Sequence, residues 1–183
     1  MRRQPILLAM GLVLLSACDN GPSLRAVAPV PTSLPTPAAV TATPFGPPDL
    51  GITLMVPSTW KPSTVTSGFE YAMRDTGPTH AYLLANIRTV PEGTTPARFA
   101  QRRIAYLKTV HGTVESTAGT TVDGHGAARL RYRLTLPGGR AVEDVEYDIA
   151  RGPTFVVIAL GEPAPQTDTP LLDWIMSTVR VST

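Results

Sequence analysis

The sequence predicts an α+β fold, an antiparallel β-sheet of about six or seven strands packed against two or more helices. Three observations carry this. Residues 128–136 and 141–149 each alternate apolar and polar side chains on either side of Pro137-Gly138-Gly139-Arg140, the pattern of a β-hairpin. Residues 154–160 form a near-continuous apolar run, as in a strand buried on both faces. Thr95-Pro96 and Thr169-Pro170 each precede apolar residues at helical spacing. Thr can cap a helix there, and Pro suits the first helical position.

Taken in order, Ile52, Leu54 and Val56 alternate into a strand that ends at Pro57. Trp60 follows in a Ser/Thr/Pro-rich loop. Residues 69–73 predict a second strand and 81–90 a third, ended by Pro91. Ala97, Ala100, Ile104 and Leu107 recur at helical spacing, and Gly112 stops that helix. Residues 113–122 predict a strand that turns at Asp123-Gly124. In the hairpin, a two-residue Gly138-Gly139 loop sets Arg133 opposite Asp144, Arg131 opposite Glu146 and Arg129 opposite Asp148. Tyr132 then meets Val145, and Leu130 meets Tyr147, on the other face. The Arg row reads as a solvated cross-strand ladder rather than an anion site, each rung contributing about a few tenths of a kcal/mol. One residue conflicts with this register: Glu143 falls on the face of Leu134. Leu171, Leu172, Ile175, Met176 and Val179 mark an amphipathic closing helix, and residues 180–183 a tail or a last strand.

Outside this domain the composition changes twice. Arg2 and Arg3 precede an apolar run from Ile6 to Leu15, followed by Leu15-Ser16-Ala17-Cys18. The run suits an export signal, because a spanning helix needs roughly 20 apolar residues. Residues 19–48 carry eight prolines and only two charges. Such a chain is a semi-rigid polyproline-II tether at roughly 3 Å per residue, reaching up to ~90 Å. Pro35-Thr36-Pro37 and Thr43-Pro44 exclude helix and central strand there. The expected organisation is 1–17 signal peptide, 18–48 Cys18 and tether, 49–183 domain. Of 16 basic residues, removal of Arg2 and Arg3 leaves 14 against 14 acidic ones. A neutral mature chain argues against nucleic-acid binding.

Leu15-Ser16-Ala17-Cys18 resembles the lipobox of bacterial lipoproteins. The resemblance implies diacylglyceryl transfer to Cys18, cleavage between Ala17 and Cys18, and N-acylation of the new terminus. Cys18 is the sole cysteine of the chain. It implies a membrane anchor, no cofactor beyond the covalent lipid, and a location facing the periplasm or the cell exterior. Two or three acyl chains anchor stably where one does not.

The domain resembles the PsbP-like family, an α/β/α sandwich. The matching residues are Gly51-Ile52-Thr53-Leu54-Met55-Val56-Pro57 with Trp60, then Gly126-Ala127-Ala128-Arg129, Tyr147, the 154–160 strand and the final helix. A cystatin-like or other α+β domain is the alternative. The resemblance implies a noncatalytic binding or accessory role toward an envelope protein partner.

The residues themselves supply no catalytic constellation. No Gly-x-Ser-x-Gly elbow occurs, and His80, His111 and His125 are too far apart for a helical metal pair. Asp123-Gly124-His125-Gly126 lacks the later acidic ligands of a calcium loop and reads as a turn. No metal and no enzyme activity are expected. Trp60, Tyr71 and Tyr82 are the candidate interaction surface, with a core role as the competing reading for Trp60. The alternative function is carriage of a lipid or other apolar ligand. That needs a sheet–helix cavity of at least ~300 Å³, which a partner-binding module does not.

Overall fold

A computed structural model describes residues 41–64, 68–77, 79–164 and 169–182. Among them the strands are β1 (Ala42–Phe45), β2 (Ile52–Pro57), β3 (Trp60–Pro62), β4 (Tyr71–Asp75), β5 (Tyr82–Thr89), β6 (Thr113–Val122), β7 (His125–Thr135), β8 (Ala141–Arg151), β9 (Thr154–Pro163) and β10 (Arg180–Val181). The helices are α1 (Pro96–Thr109) and α2 (Thr169–Ser177). Seven strands form the main sheet in the order β3-β4-β5-β9-β8-β7-β6, and β1-β2-β10 form a small second sheet. Every pairing is antiparallel.

The main sheet is covered on both faces, as an α+β sandwich requires. On one face, Val145, Tyr147, Ile149, Val156, Ile158 and Leu160 pack with Leu172, Ile175 and Met176 of α2 and with Ile52, Leu54 and Val56 of β2. On the other, Ala100 and Leu107 of α1 pack on Ala128, Leu130 and Tyr132. β9 lies in the middle and is buried from Phe155 to Glu162, which explains its continuous apolar run. Helix α1 starts as its sequence predicts: Thr95 Oγ1 accepts from Arg98 N at 3.3 Å, with Pro96 behind it. It stops differently. His111, not Gly112, takes the left-handed φ of 59°. Gly112 is there for space, since a Cβ would come within 2.7 Å of Leu134 Cδ2. Among the described residues no helix is long and apolar enough to cross a membrane.

The hairpin register differs from the expected one by one residue. Arg133 lies opposite Glu143, Arg131 opposite Val145 and Arg129 opposite Tyr147. Tyr132 faces Asp144, Leu130 faces Glu146 and Ala128 faces Asp148. The cause is Pro137. A two-residue Gly-Gly loop would pair Pro137 with Arg140 and require a Pro137 N–H that does not exist. The pairing moves back instead. Leu136 N donates to Arg140 O at 2.8 Å, and Gly139 N closes a turn on Leu136 O at 3.0 Å. Pro137 takes the second turn position and Gly138 the third, at φ 93°, where type II turns need a positive φ. The three-residue loop therefore moves Glu143 to the Arg face. Glu143 pairs there with Arg133, and with Arg131 at 3.2 Å. Arg131 also meets Glu115 at 3.1 Å. The conflict at Glu143 is an artefact of the wrong register.

Two strands were not expected. β1 lies inside the segment read as tether, so folded structure begins before residue 49. Pro44 is tolerated because β1 is an edge strand, pairing only with β2. β3 lies in the segment read as a loop around Trp60 and forms the sheet edge against β4.

Candidate functional site

Among the described residues α1 is the one helix on its face of the main sheet. Fourteen residues make a helix of about 21 Å, and it packs on β6, β7 and β8. Phe99 stacks on Phe155 with ring centroids 4.5 Å apart. Beside α1, over β5 and β9, a cleft of about 880 Å³ remains. Tyr82, Leu84, Asp144 and Val157 of the sheet line it, with Phe69 and Val90, which pack beside Phe99 and Phe155. The size lies within the usual range of small-ligand sites.

The polar groups at the base of this cleft satisfy one another. Arg103 reaches down from α1 and donates to both Glu146 oxygens, each at 2.6 Å. Tyr132 OH donates to the same carboxylate at 2.9 Å. Burial opposes the charge on Arg103, but the Glu146 carboxylate outweighs it and raises the guanidinium pKa. Burial, then the charge of Glu146, raises the Tyr132 hydroxyl far above its ordinary value. Asp148 is buried beside them, and among the described residues no N–H or hydroxyl donor reaches its oxygens; its carboxyl neighbour is Glu146. Burial and the neighbouring Glu146 push its pKa well above the ordinary carboxylate value.

A second pair spans three strands. Tyr82 OH on β5 donates to Asp144 Oδ1 on β8 at 2.7 Å, passing over Gly161 of β9, which is register partner to both. A Cβ on Gly161 would overlap the Asp144 carboxylate and the Tyr82 ring. Burial, followed in size by the opposing hydrogen bond from Tyr82, sets the Asp144 pKa, which is pushed up to about 7. Burial also raises the Tyr82 hydroxyl, with Asp144 adding to it.

The structure separates the three aromatics proposed from sequence. Trp60 is 3% exposed and belongs to the core on the α2 face. It is not an exposed anchor. Tyr71 is half-buried on that same face, and its OH donates to Asp49 Oδ2 at 3.3 Å. With Phe45 and Lys61 these two line a surface groove of about 750 Å³. Tyr82 lies on the opposite face, in the α1 cleft. Ala17 and Cys18 lie outside the described residues. The Asp123-Gly124 turn is present, with both residues at positive φ, and Asp123 Oδ2 accepts from Val181 N at 2.8 Å to hold β10. Among the described residues, no three His, Cys, Asp or Glu side chains are grouped to hold a metal ion.

Sequence reasoning missed Arg103, Asp144, Glu146 and Gly161 as one assembly. One signal was present. Arg103 stands on the same helical stripe as Ala100 and Leu107, where a charged residue needs a buried partner. The carboxylates were instead assigned to the Arg residues of β7.

No protein-family model matches the chain, and no curated protein matches it. Solved structures do. The solution structure of cyanobacterial PsbP (CyanoP) from Synechocystis sp. PCC 6803 aligns with a TM-score of 0.63 at 18% identity, covering 81% of this chain and 97% of that one. LpqN of Mycobacterium tuberculosis, described as involved in cell envelope biogenesis, aligns with a TM-score of 0.52 at 20% identity, covering 79% of this chain and 92% of that one. A Bacteroides thetaiotaomicron protein aligns at 0.53 and 9% identity over 76% of this chain and 48% of its own. At these identities the likeness is one of architecture: an antiparallel sheet between helices, the PsbP-like fold.

Proposed function

We propose that the chain is a lipid-anchored envelope protein whose domain holds an apolar small ligand between α1 and the main sheet. The observation that carries this is the cleft of about 880 Å³ beside α1, well above the ~300 Å³ that ligand sites need. Leu84, Val157, Phe99 and Phe69 give it apolar walls. The polar side chains at its base are engaged with one another. The anchor reading rests on Leu15-Ser16-Ala17-Cys18 and on the Pro-rich segment after it. The role is noncatalytic. A second reading, an accessory module for an envelope protein partner, is supported by Tyr106 of α1 and Val110 just past its end, large apolar side chains exposed where they line the cleft.

The test is native mass spectrometry of the full exported chain, purified from its host, beside a Leu84→Trp variant that fills the cleft. A bound small molecule on the wild type, lost from the variant, is the expected result. An empty mass for the freshly purified wild type counts against carriage and favours the accessory module.

A further inference from the structure

We propose that the ligand of the α1 cleft is an anionic amphiphile, with its apolar body in the cleft and its charged head at the mouth between Arg88 and Arg102. This rests on the ligand-binding reading above and specifies the ligand's chemistry. Inside the cleft little polar capacity is left over. Arg103 is spent on Glu146, Tyr132 on the same carboxylate, and Tyr82 on Asp144. An entering body therefore meets apolar walls and closed hydrogen bonds, and a buried polar group on it would go unmatched.

The mouth is different. Arg88 on β5 and Arg102 on α1 both line the cleft and both are exposed. Arg88 donates to the Gly68 carbonyl at 2.7 Å and forms no ion pair among the described residues. The Arg102 side chain has neither ion pair nor hydrogen bond among the described residues. Among the described residues Asp144 is the sole acidic side chain lining the cleft. It is 3% exposed and tied to Tyr82. The lining thus presents two unneutralised guanidiniums outside and an apolar interior behind them. Guanidinium groups match carboxylate and phosphate oxygens by forked hydrogen bonds. Carboxylate and phosphate monoester heads share this chemistry.

The experiment measures binding of a fluorophore-labelled hexadecanoate, its methyl ester and a hexadecyl phosphate. It uses the full chain purified in amphipol, with protein-free amphipol as blank. The wild type should bind the charged probes about tenfold more tightly than the ester. The preference should shrink between about 50 mM and about 500 mM salt, because the cations are exposed. An Arg88→Gln/Arg102→Gln variant should bring the charged probes down to the affinity of the ester and leave the ester unchanged. Tighter binding of hexadecanoate would identify a free fatty acid, and tighter binding of the phosphate a phospholipid-type head; either supports the proposal. Equal binding of ester and charged probes overturns it while leaving the cleft reading intact. Failure of all three probes to bind overturns both.

Discussion

Gly161 has no side chain because two other residues use its space. Tyr82 and Asp144 meet above it across three strands. Gly161→Ala should force that pair apart and destabilise the fold by about 2–4 kcal/mol, the sum of overpacking and an unmatched buried carboxyl. Chemical denaturation measures this, and a loss under 0.5 kcal/mol would mean the pair is dispensable. Asp144 also sets a pH response. Its folded pKa of about 7 lies above the ordinary value of 3.8, so the folded chain holds a proton that the unfolded chain releases. The associated stability is complete below about pH 4 and is lost as pH rises to about 7, at about 1.4 kcal/mol per pH unit. Asp144→Asn should flatten that part of the profile of melting temperature against pH. An unchanged slope would assign the response to another group.

At the scale of elements, both helices and the long strands were legible in the sequence, and two short edge strands and one register were not. Thr95-Pro96 marks the start of α1, and the alternation of residues 128–136 and 141–149 marks β7 and β8. The faces of β8 came out reversed because Gly138-Gly139 outweighed Pro137 in the reading. The absent N–H of Pro137 was visible all along, and it decides the loop. Reading by charge complementarity within the hairpin failed because the true partners come from elsewhere: Arg103 from a helix and Tyr82 from β5. β3 and β1 were missed because short edge strands rich in Pro and Thr carry little alternation. A double-mutant cycle separates the registers. Arg131→Ala with Glu143→Ala should show a coupling of about 0.5–1 kcal/mol, while Arg131→Ala with Glu146→Ala should be additive within about 0.3 kcal/mol. Coupling to Glu146 instead would restore the two-residue loop.

At the scale of the whole molecule, the fold divides its labour between faces. The α2 face is filled by the larger core and the small sheet. The α1 face keeps one helix and a cleft. The cleft could not be read from sequence, because a void has no residue pattern of its own. The expected anchor is testable separately: Cys18→Ser should move the exported protein from the membrane to the soluble fraction on cell fractionation. Retention of the variant on membranes would remove the lipid from the account. The position of β1 has a mechanical consequence. β1, the first strand among the described residues, is joined to β2 by four residue pairs, Ala42 with Pro57 through Phe45 with Leu54. Any tension arriving along the N-terminal segment loads those pairs first. The small sheet would then separate before the seven-stranded sheet is loaded, a sequence that single-molecule pulling from the N-terminus would test as a short first extension.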